Sequence, residues 1–259
     1  MVKYKRFYNL SMVQKISLAG IFIILIALFQ KVFAVNYIPV LPFVRISFGG
    51  PALIIFSSIL LGPWFGLLVG AASDIIGFYI FDPKLMGSAP FFQITFIYAL
   101  LGFSSFFVYK LFSYIKNERL MLTIEISTFI VLLIGLVLFV SLDHNVDLKT
   151  YERVLIPVVS FTLLSLTIFV QLFVSHIFKK RELNINVINV GFACFVLEMT
   201  IMVAFGVAMK TWAFSNSLFL VILISQIIVA FFNIPLNTFL VSYIMYLSSK
   251  LIRQKESQQ

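Results

Sequence analysis

Residues 45–83, RISFGGPALIIFSSILLGPWFGLLVGAASDIIGFYIFDP, decide how the chain folds. Read as one apolar run, residues 51–80 would make a helix of roughly 45 Å at 1.5 Å per residue. A bilayer's hydrocarbon core is only about 30 Å thick. Gly62-Pro63 resolves the conflict. Proline has no N–H and collides with the preceding turn, and the residue before it is pushed out of the helical region. The spacing therefore predicts a short helix over Pro51–Leu61, a turn at Gly62-Pro63-Trp64, and a returning helix from Phe65 to about Ile80. On that second helix Gly66, Gly70, Ser73 and Gly77 recur every three or four residues, a stripe that another backbone can approach closely. Asp74 lies beside the stripe in a segment otherwise free of charge. An ionisable group at membrane depth is costly, and is a functional hypothesis by default.

Working outward, the composition agrees. The chain is 61% hydrophobic and 11% charged, the profile of an integral membrane protein. The expected fold class is an all-α polytopic helical bundle in the lipid bilayer. The single cysteine, Cys194, excludes disulfides and thiolate metal clusters. A net charge of +9 could suggest nucleic acid, but the positive residues sit in short clusters between apolar spans. That is the pattern of the positive-inside rule, with no basic region left over for a polyanion. No nucleic-acid partner is expected.

Along the chain, Lys3, Lys5, Arg6 and Lys15 precede an apolar run from Ile16 to about Val35. No A-x-A-like cleavage site closes it, so it reads as a retained first helix. A loop over 36–50, stiffened by Pro39 and Pro42, leads into the broken pair described above. Residues 82–90 are a loop, and a fourth helix runs from Phe91 to about Ser113. A fifth spans about Met121–Leu142, a sixth about Val154–Phe178 and a seventh about Val187–Met209. The last apolar stretch, Leu218–Leu247, is too long for a perpendicular span, and Asn233-Ile234-Pro235 should kink it.

These eight helices would put both termini on one side. On that side lie Lys3, Lys5, Arg6, Lys15, Lys110, Lys116, Arg119, Lys179, Lys180, Arg181, Lys250, Arg253 and Lys255, which is 13 of the 19 basic residues. Lys31, Arg45, Lys84, Lys149, Arg153 and Lys210 are left for the other. The first set marks the cytoplasmic side of a cell-membrane protein.

Three motifs carry a resemblance: VRISFG at 44–49, LLGPWFGLLVGAASDIIGF at 60–78, and APFFQITF at 89–96 after an Asp-Pro loop. In this the chain resembles the substrate-binding S components of energy-coupling factor (ECF) vitamin transporters, and within them the folate type. The likeness is good over about residues 12–115 and weaker over 187–250, where NIPLNTFLVSYIMYL at 233–247 is similar to the family's last helix. The glycine-proline-glycine-aspartate pattern points to the superfamily, and the R-I-S-F-G loop points to folate. S components have six helices, so the resemblance implies two additional ones, placed in a hairpin over 116–182. Residues 1–115 would then form the N-terminal half of the membrane domain, and 183–259 would complete it. The last pair of helices as the addition is an alternative.

Catalytic constellations are missing from the sequence. His144 and His176 fall on opposite predicted sides and cannot share a metal, and no H-E-x-x-H, G-x-S-x-G or Walker A pattern occurs. No cofactor, metal site or enzyme activity is expected, and uphill transport would draw its energy from a partner. Arg45, in an extracellular loop, offers a planar five-donor fork suited to a carboxylate or a heteroaromatic amide edge; it could also simply touch headgroups. The resemblance places the ligand against this loop, with Ser47, Phe48 and Gly49. Phe48, Phe91 and Phe92 could stack on a planar ligand or merely pack. Gln93 and Thr95 could hydrogen-bond ring heteroatoms or satisfy their own helix start. Asp74 and Glu198 are each either ligand contacts or internal carboxylates, Asp74 capped by neighbours such as Ser73 and Glu198 protonated or paired in the core. Glu125 is expected in the first turn of helix five, where the dipole favours it.

In S components a small-residue face on the first helix packs on a transmembrane coupling subunit that carries two ATPases. The resemblance transfers that role to Ala19 and Ala27, although Ile23 stands between them, and adjoins the stripe Gly66–Gly70–Gly77. The function expected is capture of folate at the outer face, followed by toppling of the bound subunit in the membrane. The alternatives are another vitamin or precursor (riboflavin, pantothenate, a queuosine precursor), a membrane-embedded enzyme using Asp74 and Glu198, and a scaffold without ligand.

Overall fold

The structure is a computed structural model that describes residues 10–32, 49–81, 92–115, 117–142, 187–214 and 219–257, and scattered residues between 158 and 177. Helices α1 (Met12–Lys31), α2 (Gly50–Leu61), α3 (Pro63–Phe81), α4 (Phe92–Ser113) and α5 (Glu118–Leu142) come first. Helix α6 (Val187–Leu197) runs through a π-helical segment, Glu198–Phe205, into α7 (Gly206–Phe214), and α8 (Phe219–Ser257) ends the series. Among the described residues there is no strand. Five of the helical stretches are long and apolar enough to cross a bilayer. The protein is an all-α polytopic membrane protein.

The break at Gly62-Pro63 forms as its chemistry dictates. Gly62 takes φ 100°, a conformation that side chains resist, and Pro63 opens α3, where its missing N–H costs nothing. Helix α2, at 12 residues, is about 18 Å long and cannot span the bilayer alone. Helix α1 starts four residues earlier than the apolar run suggested, because Ser11 and Gln14 form a reciprocal capping box. Its outer side, with Val13, Ile16, Ile21 and Ile24, is exposed and apolar, as lipid requires.

The glycine stripe of α3 is consumed inside the chain. Gly66 faces Gly102 and Ser58, and a Cβ there would come within 2.5 Å of the Gly102 carbonyl oxygen. Gly70 faces the backbone of Tyr98, and Gly77 faces Ala27 and Lys31 of α1. One level further along α3, Asp74 meets Thr95, so α3 and α4 run antiparallel in tight register. Ala19 and Ala27 are likewise buried against the bundle. This corrects the expectation of a partner surface at Ala19, Ala27, Gly66, Gly70 and Gly77. The close backbone approach that small residues permit is made here by the chain's own α1, α2 and α4.

Two apolar cores share α6 and α8. Val190, Cys194 and Leu197 face the core built with α1–α4, joined by Val241 and Met245 of α8. Phe192 and Phe195 face a second core, with Met121 and Phe129 of α5 and Phe231 and Ile234 of α8. Helix α6 is thus the wall between them, and α5 packs on its far side. Asn189, at the start of α6, donates to the carbonyls of Phe112 and Ile115 at 2.9 and 3.4 Å and satisfies the end of α4. Because α5 begins at Glu118, Glu118 takes the first-turn position, and Glu125 lies two turns in, buried. The placement of Glu125 in the first turn is therefore overturned: Asn117 Oδ1 caps the helix through the Leu120 N–H, earlier than the apolar periodicity indicates.

Candidate functional site

Three helices, α1, α3 and α4, bring polar side chains together inside the α1–α4 half. The Thr95 hydroxyl, near the start of α4, donates to Asp74 Oδ2 at 2.7 Å. Lys31, the last residue of α1, places its ammonium 3.9 Å from Asp74 Oδ1, with both side chains about nine-tenths buried. Gly77 makes this possible. A Cβ there would lie 3.1 Å from Lys31 Cγ and Cε, so the lysine stem runs along the bare backbone of α3 to reach the carboxylate one turn below. A buried carboxylate needs hydrogen bonds and an opposite charge, and Asp74 has both. Ser73 does not cap it: its hydroxyl donates to the Gly70 carbonyl at 3.0 Å, as short side chains in helices commonly do.

Next to Lys31, Gln30 is buried against Gly50, the first residue of α2. Gly49 caps that helix with φ 78°, and a Cβ there would lie 3.0 Å from Leu240 of α8 and 3.5 Å from Phe29 of α1. Gly49, the last residue of the R-I-S-F-G motif, therefore sits between α1 and α8. Arg45, Ser47, Phe48 and Phe91 lie outside the described residues. Phe92 is exposed and pairs with Phe96 at 6.2 Å, and Gln93 is half-buried at the same helix start.

The second cluster lies between the π segment and α8. Glu198 is 1% exposed, and its two oxygens accept one carboxamide N–H each, from Asn233 at 3.0 Å and Asn237 at 3.4 Å. The π segment begins at Glu198 itself, and Pro235 removes a backbone donor from α8 between the two asparagines. Such departures from the α-helical pattern are frequent at functional sites. Nearer the far end of the same helices, Lys210 donates to Gln226 Oε1 at 2.7 Å. Asp74 and Glu198 share no described partner and belong to separate clusters. Among the described residues no group of acidic, histidine or cysteine side chains could hold a metal, and His176 is exposed.

Lys31, Gln30, Asn233 and Asn237 escaped the reading of the sequence. A signal existed for each set: Lys31 is the one cation at the end of α1 that meets the lone anion of α3, and the asparagines are spaced i, i+4 opposite a lone glutamate. Recognising either signal requires knowing which helices are neighbours.

Fold and clusters together define the class: a polytopic all-α membrane protein with ionisable side chains held in its interior by polar partners from neighbouring helices. No protein family, curated protein or solved structure matches the chain.

Proposed function

We propose that the chain is the substrate-binding membrane subunit of an ECF-type transporter, capturing a vitamin, folate in the first instance, for ATP-driven uptake. The observation that carries this reading is where the arginine loop ends. Gly49 and Gly50, which follow its last side chains, lie against Phe29 and Gln30 of α1 and Leu240 of α8, beside the Lys31–Asp74–Thr95 cluster. The two glycines that follow the R-I-S-F segment thus pack at the level of α1 where Lys31 meets Asp74. Binding and release need no covalent step.

The charge pattern supports cytoplasmic termini and an outward-facing loop. The chain has no phosphate-cradling motif, so ATP hydrolysis belongs to partners: a coupling subunit and two ATPases. With Ala19 and Ala27 turned inward, the face of α1 open to such a partner is the one carrying Ser17 and Gly20, where nothing lies within 4 Å of Gly20.

The test is to purify the full chain and identify co-bound small molecules by mass spectrometry, then to measure uptake with and without co-expressed coupling and ATPase subunits. A vitamin in the preparation and uptake only with the partners are the expected results. Concentrative transport by the chain alone in proteoliposomes would overturn the mechanism.

A further inference from the structure

Leu122, Glu125, Ile126 and Phe129 follow an i, i+3, i+4, i+7 spacing and so share one face of α5. Ile168 and Leu172, one helical turn apart, come up against that face from later in the chain. The six side chains enclose a cavity of about 30 Å³, close to the room that one water molecule takes in the liquid. Among the described residues that line it, Glu125 supplies the one ionisable group, and the other five are aliphatic or aromatic. Leu172 is 53% exposed, so the cavity lies just under the outer surface of the bundle and its rim faces lipid. It stands on the far side of α6 from the arginine loop and the Lys31–Asp74–Thr95 cluster.

Glu125 is 1% exposed and lies seven residues beyond Glu118, about 10 Å into α5 from its start. A carboxylate at that depth carries a desolvation cost that an opposite charge offsets. The apolar walls also strengthen its attraction for any cation that enters. Space selects the head of that cation. An –NH3+ group is about the size of a water molecule, whereas a trimethylammonium head is several times larger. The rim selects its body, since whatever leaves the cavity past Leu172 enters hydrocarbon. A water would have Glu125 alone among the lining side chains to bond, short of the roughly three hydrogen bonds a buried water makes. A phosphate would meet no side-chain donor in these walls, which sets an aminophospholipid headgroup aside.

We infer that this cavity binds a long-chain primary amine. Its ammonium pairs with the Glu125 carboxylate, and its alkyl chain passes the Leu172 rim into the bilayer. The site is independent of vitamin capture and uses no residue assigned to it.

The experiment follows thermal unfolding of the purified full chain in a neutral detergent, with dodecylamine, dodecyltrimethylammonium or dodecanol added at matched concentrations. Dodecylamine should raise the midpoint by about 3 °C or more, because a ligand of the folded state stabilises it. The bulky cation and the uncharged alcohol should raise it by less than about 1 °C. In Glu125→Gln the gain from dodecylamine should disappear. Leu172→Trp, at a half-exposed position, fills the cavity from its rim with the carboxyl intact, and there too the gain should disappear. A Glu125→Gln chain that fails to fold leaves Leu172→Trp and the comparison of amphiphiles on the unaltered chain to decide. Equal shifts from the three amphiphiles, no shift from dodecylamine, or a shift kept in either variant would overturn the inference. So would phosphatidylethanolamine raising the midpoint as far as dodecylamine does.

Discussion

Lys31 reaches Asp74 by laying its side chain across Gly77, so that a cation at the end of α1 and an anion in α3 lie 3.9 Å apart. The glycine is as much part of the pair as the charges are. A Cβ at 77 would lie 3.1 Å from the lysine's Cγ and Cε, so the stem would have to give by a few tenths of an ångström.

Removing one charge should therefore cost more than removing both. Asp74→Asn leaves the Lys31 ammonium buried without its counter-charge, and Lys31→Met does the same to Asp74. Each single variant is expected to lose about 3 kcal/mol, and the double variant less than either single one. Thermal unfolding of the four proteins in one detergent measures the coupling, and additive losses would show the pair to be energetically idle.

The antiparallel seam of α3 and α4 makes a sharper demand. Ala at Gly70 would place a Cβ against the Tyr98 carbonyl, and Ala at Gly102 would do so against Gly66. Backbone cannot step aside as a flexible side chain can, so each change should destabilise by about 1–3 kcal/mol. Gly135→Ala is the control: nothing lies within 4 Å of that position, and a helix gains up to about 1 kcal/mol from the exchange. Opposite signs in a thermal-shift comparison are expected, and equal shifts would mean the helices do not pack as described.

Arg45→Ala should weaken folate binding without unfolding the chain. Loss of a charge-assisted hydrogen bond amounts to about 1.5–3 kcal/mol, roughly 10- to 150-fold in affinity. Unchanged titration calorimetry would remove Arg45 from the site and the folate assignment with it.

Membrane orientation can be read by thiol labelling in intact cells. The native Cys194 is buried and should stay silent. Asp147→Cys should react with an impermeant reagent from outside, and Lys255→Cys should react only after permeabilisation. Outside labelling at 255 would reverse the topology.

What the chain's sequence determined by itself was local or compositional. Helix breaking at Gly62-Pro63 follows from one missing N–H and one forbidden conformation, both within two residues; α2 ends at Leu61 as read, and α3 starts at Pro63, two residues before the expected Phe65. Membrane residence follows from composition, because the cost of exposing so much apolar surface to water adds up over the chain regardless of fold. Tertiary structure decided whatever depends on neighbours. The glycines of α3 advertise a close approach, yet only the packed bundle shows that α1, α2 and α4 fill it. Asp74 reads as a carboxylate needing partners, and the partners come from 21 residues further along and from Lys31 on another helix. Glu198 draws its amides from 35 and 39 residues away, at a level where α6 relaxes into a π segment that no periodicity announces. Hydrogen bonds and ion pairs act over a few ångströms, and sequence separation carries no record of which helices will stand that close.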